Sequence, residues 1–365
     1  MTDVPETTRA IVAFEPSGDP PSPAFRLETL NFAAPAADEV IVRMVASGIC
    51  HSDVVLACYP GQGDRVLGHE GAGYVVKTGQ DVTKVAVDDP VLLSFNFCGS
   101  CAPCTASPPI PSRYNNFHPL NIVSLPSTFS SAGKPIGGSF FDQSSFANYS
   151  RVKGNSICNA KDLIRSEDEL KLFAPLGCGL QTGAGCITNV ACAGPDTTVM
   201  VMGLGGVGLG AIMAAAIRGC QKIIAVDRIP SRLQLASELG ATHAINTSQG
   251  TADLDAEVRK IHAAGTDCVI DTTGVDFLLK AGLSSLGNAG QLIFPLLPGW
   301  TKGATIKFVT VGDADPREFV PQMIQWYRQG QFPVEKLVKY FPAEEFNKAL
   351  AEMHSGEAIK PILLW

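Results

Sequence analysis

The chain has 365 residues, of which 45% are hydrophobic and 17% charged, so it can bury more core than one typical domain. Its net charge of −7 argues against nucleic acid or an anionic membrane as a partner, and no run reaches the roughly eighteen apolar residues that span a bilayer. Residues 1–8 lack the basic and then apolar pattern of a signal peptide. We therefore expect a cytoplasmic, two-domain protein. Its eleven cysteines are expected to be thiols or metal ligands rather than disulfides.

Short β-rich runs separated by Gly, Pro, Asp and Ser fill the first 165 residues. They predict strands at 10–14, 39–46, 71–77 and 91–95. Residues 107–134 are rich in Pro, Ser and Asn and are expected to form a long loop or a lobe on this domain. The first part of the chain is thus predicted to be a β-rich domain.

Two cysteines and a histidine are candidate metal ligands. Cys50 lies in a turn-like stretch after a strand, His69 follows nineteen residues later, and Cys178 precedes a change in pattern. Two thiolates and one imidazole suit zinc, with a fourth position open for water or substrate. Spacing does not show that the three converge, and taken singly they are more often packed or hydrogen-bonded core residues.

From about residue 180 the pattern changes to alternating strands and helices. Strands are predicted at 199–202, 223–226, 243–246, 268–271 and 291–294, and helices at 209–217, 231–239 and 252–264. This alternation predicts a parallel sheet with helices on both faces. The tail is predicted to be helical from Arg317 and to end in a strand over 360–365.

A glycine-rich loop follows the first of these strands and leads into a helix. Its residues are Gly203, Gly205, Gly206, Val207 and Gly208. The glycines suit a tight turn, a close backbone approach to a pyrophosphate and close helix–strand packing, and the N–H groups at the helix start would hold the phosphates. Asp227, nineteen residues after Gly208, ends the next strand and is placed to accept ribose hydroxyls. The order of these features predicts a dinucleotide-binding unit.

Short motifs occur in one order along nearly the whole chain. They are Gly48–Asp53, Gly68–Gly73, Cys98–Cys104, Phe117–Asn121, Gln143–Ala147, the segment around Cys178, the glycine-rich loop and Ile359–Leu363. The set resembles zinc-dependent medium-chain alcohol dehydrogenases, close to the aryl-alcohol (benzyl-alcohol) branch. The resemblance implies an α/β fold, with a β-rich GroES-like catalytic domain over 1–179 and 312–365 and a doubly wound Rossmann domain over 180–311.

The resemblance also implies a metal centre and a reaction. Cys50, His69 and Cys178 would hold the catalytic Zn²⁺, and the carboxylates of Asp53 and Glu70 would orient these ligands. The implied reaction is hydride transfer between an alcohol and NAD, or in reverse the reduction of an aldehyde or ketone.

The remaining implied roles concern the substrate proton and the cofactor. Ser52 would bond to the substrate oxygen and carry its proton towards solvent. His51 would lie near the pyrophosphate of NAD and Thr182 near the nicotinamide. Asp227 would bind the adenosine ribose, with Arg232 nearby. Many relatives end the proton relay with a histidine three residues after the serine, but Val55 occupies that position here, so the relay must end at water or another group.

A second zinc site of the family is incomplete. Relatives carry four cysteines spaced C-x₂-C-x₂-C-x₇-C, whereas this chain has Cys98, Cys101 and Cys104 with Ser112 in the fourth place. A serine hydroxyl is a poor zinc ligand compared with a thiolate. The alternatives are a substitute ligand, taken from His118, Asp142 or water, and an empty lobe.

The segment that pairs two subunits in relatives is also altered. The segment 295–304 is shorter than its counterpart in those proteins. Pro295 and Pro298 lack the backbone N–H groups that a strand at the sheet edge needs for pairing with another strand. We expect a monomer or a homodimer through another face, the alternative being that flanking residues rebuild the usual interface.

By resemblance, several apolar side chains would line a substrate pocket. The alternative is that these side chains only pack in the core. They are Phe95, Phe146, Phe294 and Leu296, together with Ser94. Several aromatic rings favour a bulky or aromatic alcohol. The leading prediction is an NAD-dependent zinc alcohol dehydrogenase. A zinc-free enone or quinone reductase of the same superfamily, which would lack the three metal ligands, and a non-catalytic NAD-binding protein are the alternatives.

Overall fold

The computed structural model of the chain describes residues 4–18, 22–114, 117, 121–122, 126–248, 254–295 and 305–365. The chain divides into two compact units. One comprises Met1–Cys178, Asp315–Ile324 and Val334–Trp365, and the other comprises Gly179–Ala314 and Gln325–Pro333. Within the described residues no helix is both long and apolar enough to cross a membrane.

Strands and helices are numbered in chain order. The strands are β1 (Thr7–Ser17), β2 (Ser22–Phe32), β3 (Glu39–Gly48), β4 (Arg65–Val66), β5 (Gly71–Thr78), β6 (Pro90–Leu93), β7 (Phe129–Ser131), β8 (Lys134–Ile136), β9 (Tyr149–Lys153), β10 (Ile157–Asn159), β11 (Thr198–Met202), β12 (Lys222–Asp227), β13 (His243–Asn246), β14 (Thr266–Asp271), β15 (Leu286–Phe294), β16 (Thr305–Phe308), β17 (Val338–Pro342) and β18 (Lys360–Leu364). The α-helices are α1 (His51–Ala57), α2 (Ala102–Thr105), α3 (Glu167–Phe173), α4 (Gly179–Gly185), α5 (Gly206–Ile217), α6 (Pro230–Glu238), α7 (Leu254–Ile261), α8 (Asp276–Ser284), α9 (Pro316–Arg328) and α10 (Phe346–Ser355).

Two sheets build the first unit. One has the order β4-β1-β2-β7-β8, and the other has the order β10-β6-β5-β3-β18-β17 with β9 also paired to β3. Val40, Val42 and Met44 alternate along β3 and enter one buried cluster, as the two-residue period of a strand requires. The last strand, β18, pairs antiparallel with β3, so Ile362 lies opposite Gly48. This pairing brings the end of the chain beside the segment that carries Cys50.

The second unit contains one parallel sheet. Its order is β13-β12-β11-β14-β15-β16, and each neighbouring pair is parallel. Alternate residues of the central strands, such as Met200, Met202 and Val269, pack into one buried cluster. This strand order is that of doubly wound dinucleotide-binding folds, whose ligands bind at the carboxyl edge of the strands.

The structure corrects two local predictions. Cys50 to Asp53 are not a turn: Cys50 caps α1, and the carboxylate of Asp53 accepts a hydrogen bond from the Cys50 N–H at 2.9 Å. The region 107–134 is not loop throughout, because Phe129 in β7 pairs with Phe32 of β2. Long-range sheet pairing, which the local composition does not reveal, decides that strand.

Some predictions concern residues outside the described part of the chain. Residues 296–304, on which the altered subunit edge was argued, are among them, as is Leu296 of the expected pocket. His118, named as a substitute zinc ligand, lies outside the described residues too.

Candidate active site

A short helix, α1, carries three of the predicted site residues, His51, Ser52 and Asp53. Its C-terminal end is held by Arg65, which is 1% exposed. The Arg65 guanidinium donates to the carbonyl oxygens of Leu56 at 2.6 Å and Tyr59 at 2.9 Å. The Leu56 carbonyl also accepts the Tyr59 N–H at 3.1 Å, so the buried cation adds to the hydrogen bonding of the carbonyls at the end of α1 and holds the chain there. Nothing in the local sequence distinguishes Arg65 from a surface arginine, so this contact was not predicted.

The three predicted zinc ligands converge. One ligand atom each from Cys50, His69 and Cys178 lies within 4.8 Å of the others. His69 is fully buried; its Nδ1 lies 2.9 Å from Oδ1 of Asp53, while its Nε2 has no hydrogen-bond partner among the described residues. Because an unpaired buried ring nitrogen is costly, this nitrogen is suited to bind a metal ion. Two thiols and an imidazole nitrogen are the donors that zinc prefers, so these residues fit a zinc ion.

The three ligand side chains influence one another's protonation. A hydrogen bond between the two thiols lowers the pKa of Cys50 well below its usual value and raises that of Cys178, because one proton is shared between them. Burial lowers the pKa of His69, but the charges of Asp53 and Cys50 outweigh burial and raise it.

A buried ion pair lies beside this centre. Lys360 donates to Glu70 Oε1 at 2.8 Å and Oε2 at 3.0 Å, and its Nζ lies 3.3 Å from the carbonyl oxygen of Ile49. Both side chains are buried; burial raises the pKa of Glu70, against the opposing charge of Lys360. A Cβ on Gly48 would come within 2.1 Å of Glu70 Oε2, so this close approach requires glycine. The motif around Lys360 predicted no role for this lysine.

Aromatic rings surround His69. The ring of Phe141 stacks on the imidazole at 4.5 Å between centroids, and Phe140 meets it edge-on at 5.2 Å. Phe117 lies 6.0 Å from Phe141 and 5.5 Å from Phe95, one of the expected pocket residues. Phe140 and Phe141 were missed, although they adjoin the Gln143–Ala147 motif.

The other described residues that were expected to line the substrate pocket are all buried, but they lie in different surroundings. Phe146 is fully buried and packs on Phe346 at 5.3 Å, which is a core contact. Ser94 is buried, and its Oγ donates to the carbonyl oxygen of Gly177 at 2.6 Å. Phe294 is buried in the second unit.

The exposed face of α1 bears on the proton relay. Ser52 is half-buried and His51 is exposed, and the His51 ring lies 6.5 Å from that of His354. Val55, where many relatives have histidine, is 55% exposed.

The glycine-rich loop of the second unit has the geometry of a phosphate cradle. Gly203 has φ +85°, and a Cβ there would lie 2.5 Å from Thr272 Oγ1. A Cβ on Gly208 would lie 1.9 Å from the Gly203 carbonyl oxygen, so α5 packs directly on the loop. A Cβ on Gly205 would meet nothing within 4 Å, which leaves open space at the start of α5. This space and the helix N–H groups fit a pyrophosphate.

Asp227 and Thr182 both belong to elements that meet this loop. Asp227 accepts hydrogen bonds from the Leu204 N–H at 2.7 Å and the Ile229 N–H at 2.9 Å, one on each oxygen. Each oxygen therefore keeps a free lone pair. Thr182 is buried in α4, whose Gly183 approaches the Val207 carbonyl so closely that a Cβ would lie 1.9 Å from it. Arg232 Nε is buried without a partner among the described residues.

The incomplete second metal site is also assembled. Cys98 Sγ lies 3.8 Å and Cys101 Sγ 3.5 Å from the sulfur of Cys104. Ser112 is buried, and its Oγ has no hydrogen-bond partner in the described part of the chain.

Comparisons with known proteins agree with both units. Residues 36–162 match the alcohol dehydrogenase GroES-like domain family, and residues 206–326 match the zinc-binding dehydrogenase family. The chain is 34% identical to geraniol dehydrogenase of Castellaniella defragrans, over 93% of this chain and 94% of that protein. The chain belongs to the zinc-dependent medium-chain alcohol dehydrogenases.

Solved structures of the family superpose closely. An alcohol dehydrogenase zinc-binding domain protein from Burkholderia ambifaria has a TM-score of 0.89 with 37% identity, covering 98% of each chain. Benzyl alcohol dehydrogenase from Acinetobacter calcoaceticus has a TM-score of 0.88 with 34% identity, covering 99% of each chain. The predicted family, the predicted fold class and the prediction of an NAD- and zinc-dependent alcohol oxidoreductase are confirmed.

Proposed function

We propose that this alcohol dehydrogenase acts on bulky or aromatic alcohols, with Cys50, His69 and Cys178 as the ligands of its catalytic zinc. The observation that supports the ligand set is the buried Nε2 of His69, which has no partner among the described residues, next to two thiols. When bound, Zn²⁺ supplies a Lewis acid for the substrate oxygen and NAD supplies the hydride acceptor.

The side chains around the ligands would hold the centre in place. Asp53 accepts hydrogen bonds from His69 Nδ1 and from the N–H groups of Cys50 and Gly68, which fixes the tautomer of the imidazole. Glu70 would add negative charge near the cation, and Lys360 limits that charge. Ser52 Oγ would accept the hydroxyl proton of the substrate and pass it to solvent. The half-buried position of Ser52 supports this role.

The cofactor roles rest on the second unit, which we propose to be the NAD-binding domain; the first unit would be the catalytic domain. The N–H groups of Gly206, Val207 and Gly208 would hold the pyrophosphate. Asp227 would accept the ribose hydroxyls on its free lone pairs, with Arg232 nearby. Thr182 would contact the nicotinamide from α4, and His51 would add positive charge near the pyrophosphate.

The substrate class rests on the rings beside His69. Phe95, Phe117 and Phe141 form a connected aromatic group. Burying a phenyl group against such rings contributes about 1.5–3 kcal/mol over leaving it in water, or about 10- to 100-fold in kcat/KM. The names of two relatives, a geraniol and a benzyl alcohol dehydrogenase, point to the same class.

A panel of alcohols, followed by NADH absorbance with zinc measured on the same sample, tests the proposal. We expect benzyl alcohol and geraniol to exceed ethanol in kcat/KM by at least about tenfold. Equal values for ethanol would contradict the substrate class. Reduction of enones or quinones by a zinc-free sample would favour the zinc-free reductase, and NADH binding without turnover would favour a non-catalytic protein.

We further propose a monomer or a homodimer that does not use the usual edge, on the sequence of residues 295–304 alone. Light scattering at micromolar concentration, followed by crystallography of any dimer, tests this. We also propose a cytoplasmic location, because no disulfide occurs among the described residues, as expected in a reducing compartment. Fractionation of cells that express the chain natively tests the location.

A further inference from the structure

The three-cysteine cluster of Cys98, Cys101 and Cys104 has no part in the proposed reaction. Its sulfur–sulfur distances of 3.5 and 3.8 Å are close to those of thiolates around one ion, since zinc–sulfur bonds of about 2.3 Å in a tetrahedron put the sulfurs about 3.8 Å apart. The sulfurs therefore stand at ligand separation without rearrangement.

The zinc that the family pattern implies does not fit this cluster. Structural zinc sites are almost always four-coordinate, and the fourth residue here is Ser112, whose neutral hydroxyl is a weak ligand. Ser112 lies in the turn Pro111–Arg113, which is joined to α2 by a hydrogen bond from the Ile110 N–H to the Pro103 carbonyl at 2.9 Å. Among the described residues, no carboxylate or imidazole joins the three sulfurs.

We propose that the three-cysteine cluster is a binding site for a soft, thiophilic cation that is satisfied by three thiolates, represented by Cu(I), and that it takes this ion in preference to Zn²⁺. Soft thiolate ligands select soft ions such as Cu(I), and three of them leave a tetrahedral ion one ligand short.

Access agrees with this site. Cys98 is exposed and lines a cleft of about 290 Å³, which gives an ion a path to the sulfurs.

The first test uses the zinc-loaded enzyme under anaerobic, reducing conditions. Cu(I) is titrated in competition with a chromophoric Cu(I) chelator, and both metals are then measured on the desalted protein. We expect one Cu(I) per chain with the catalytic zinc retained, and none in Cys104→Ser or Cys98→Ser at the same free Cu(I). The exposed Cys192 provides the control variant Cys192→Ser, which should bind as the wild type does.

The second test restores a fourth thiolate with Ser112→Cys. This variant should hold two zinc ions per chain after mild chelation, where the wild type holds one. Three results would overturn the proposal: two zinc ions retained by the wild type, Cu(I) uptake matched by loss of zinc, or equal Cu(I) binding by both cluster variants and the wild type.

Discussion

The imidazole Nδ1 of His69 lies 2.9 Å from Oδ1 of Asp53, and both side chains are buried. The same carboxylate accepts the N–H of Cys50, so one side chain orients two residues of the metal centre. This arrangement fixes which ring nitrogen is free to bind a cation.

Replacing Asp53 by Asn should weaken zinc binding by about 10- to 100-fold, because the amide cannot accept all three hydrogen bonds and no longer fixes the tautomer. The measurement is zinc competition with a chromogenic chelator, with circular dichroism to check the fold. The exposed Asp81 gives the matched variant Asp81→Asn, which should bind as the wild type does. A folded Asp53→Asn with unchanged affinity would remove Asp53 from the centre.

Replacing Cys178 by Ser should abolish turnover and remove the catalytic zinc, while NADH binding stays largely intact, because the cofactor loop belongs to the other unit. Zinc content, alcohol oxidation and NADH fluorescence are measured on one preparation. Cys192→Ser serves as the thiol control. Full activity in Cys178→Ser would show that the ligand assignment is wrong.

Asp227 should make the enzyme prefer NAD to NADP, since a carboxylate at the ribose repels a 2′-phosphate. Arg228 and Arg232 are nearby cations that reduce this repulsion. Asp227→Asn keeps an acceptor oxygen for the Leu204 N–H but removes the charge, so the ratio of kcat/KM for NAD over NADP should fall. Asp227→Ala should reduce the ratio as well. A wild-type ratio that favours NADP would refute the assignment.

Asp142 should make stability depend on pH. Burial raises its pKa to about 6, against a hydrogen bond from Asn96 Nδ2 at 2.6 Å. Because the folded-state pKa is raised, the wild type gains stability as pH falls from above 6 to below the ordinary value of 3.8. Asp142→Asn should therefore be more stable at pH 8 by about 1–3 kcal/mol, and this advantage should vanish near pH 4.

Thermal unfolding across this pH range checks the prediction for Asp142. Asn also suits the left-handed backbone of this position, φ +50°, so the substitution adds no strain there. The exposed Asp162 gives the control Asp162→Asn, whose difference from the wild type should not change with pH in this way. A constant difference for Asp142→Asn would contradict the prediction.

Local patterns determined much of the second unit. The glycine spacing of Gly203–Gly208 and the acidic residue Asp227 lie within about 25 residues of one another. They could be predicted from the sequence because turns and strand periodicity depend on residues that are close along the chain. The strand at His243–Asn246 was predicted with its observed bounds. Residue types made Cys50, His69 and Cys178 candidate zinc ligands, and the family resemblance assigned them to one centre.

Only the tertiary structure decided which residues from distant parts of the chain contact one another. The pairing of β18 with β3 brings Lys360 to Glu70, and the chain between them is too long for any local pattern to encode the contact. The same holds for Phe141 against His69 and for Arg65 at the end of α1. Sequence periodicity specifies which face of an element is buried, whereas the partner on that face is chosen by packing of distant segments.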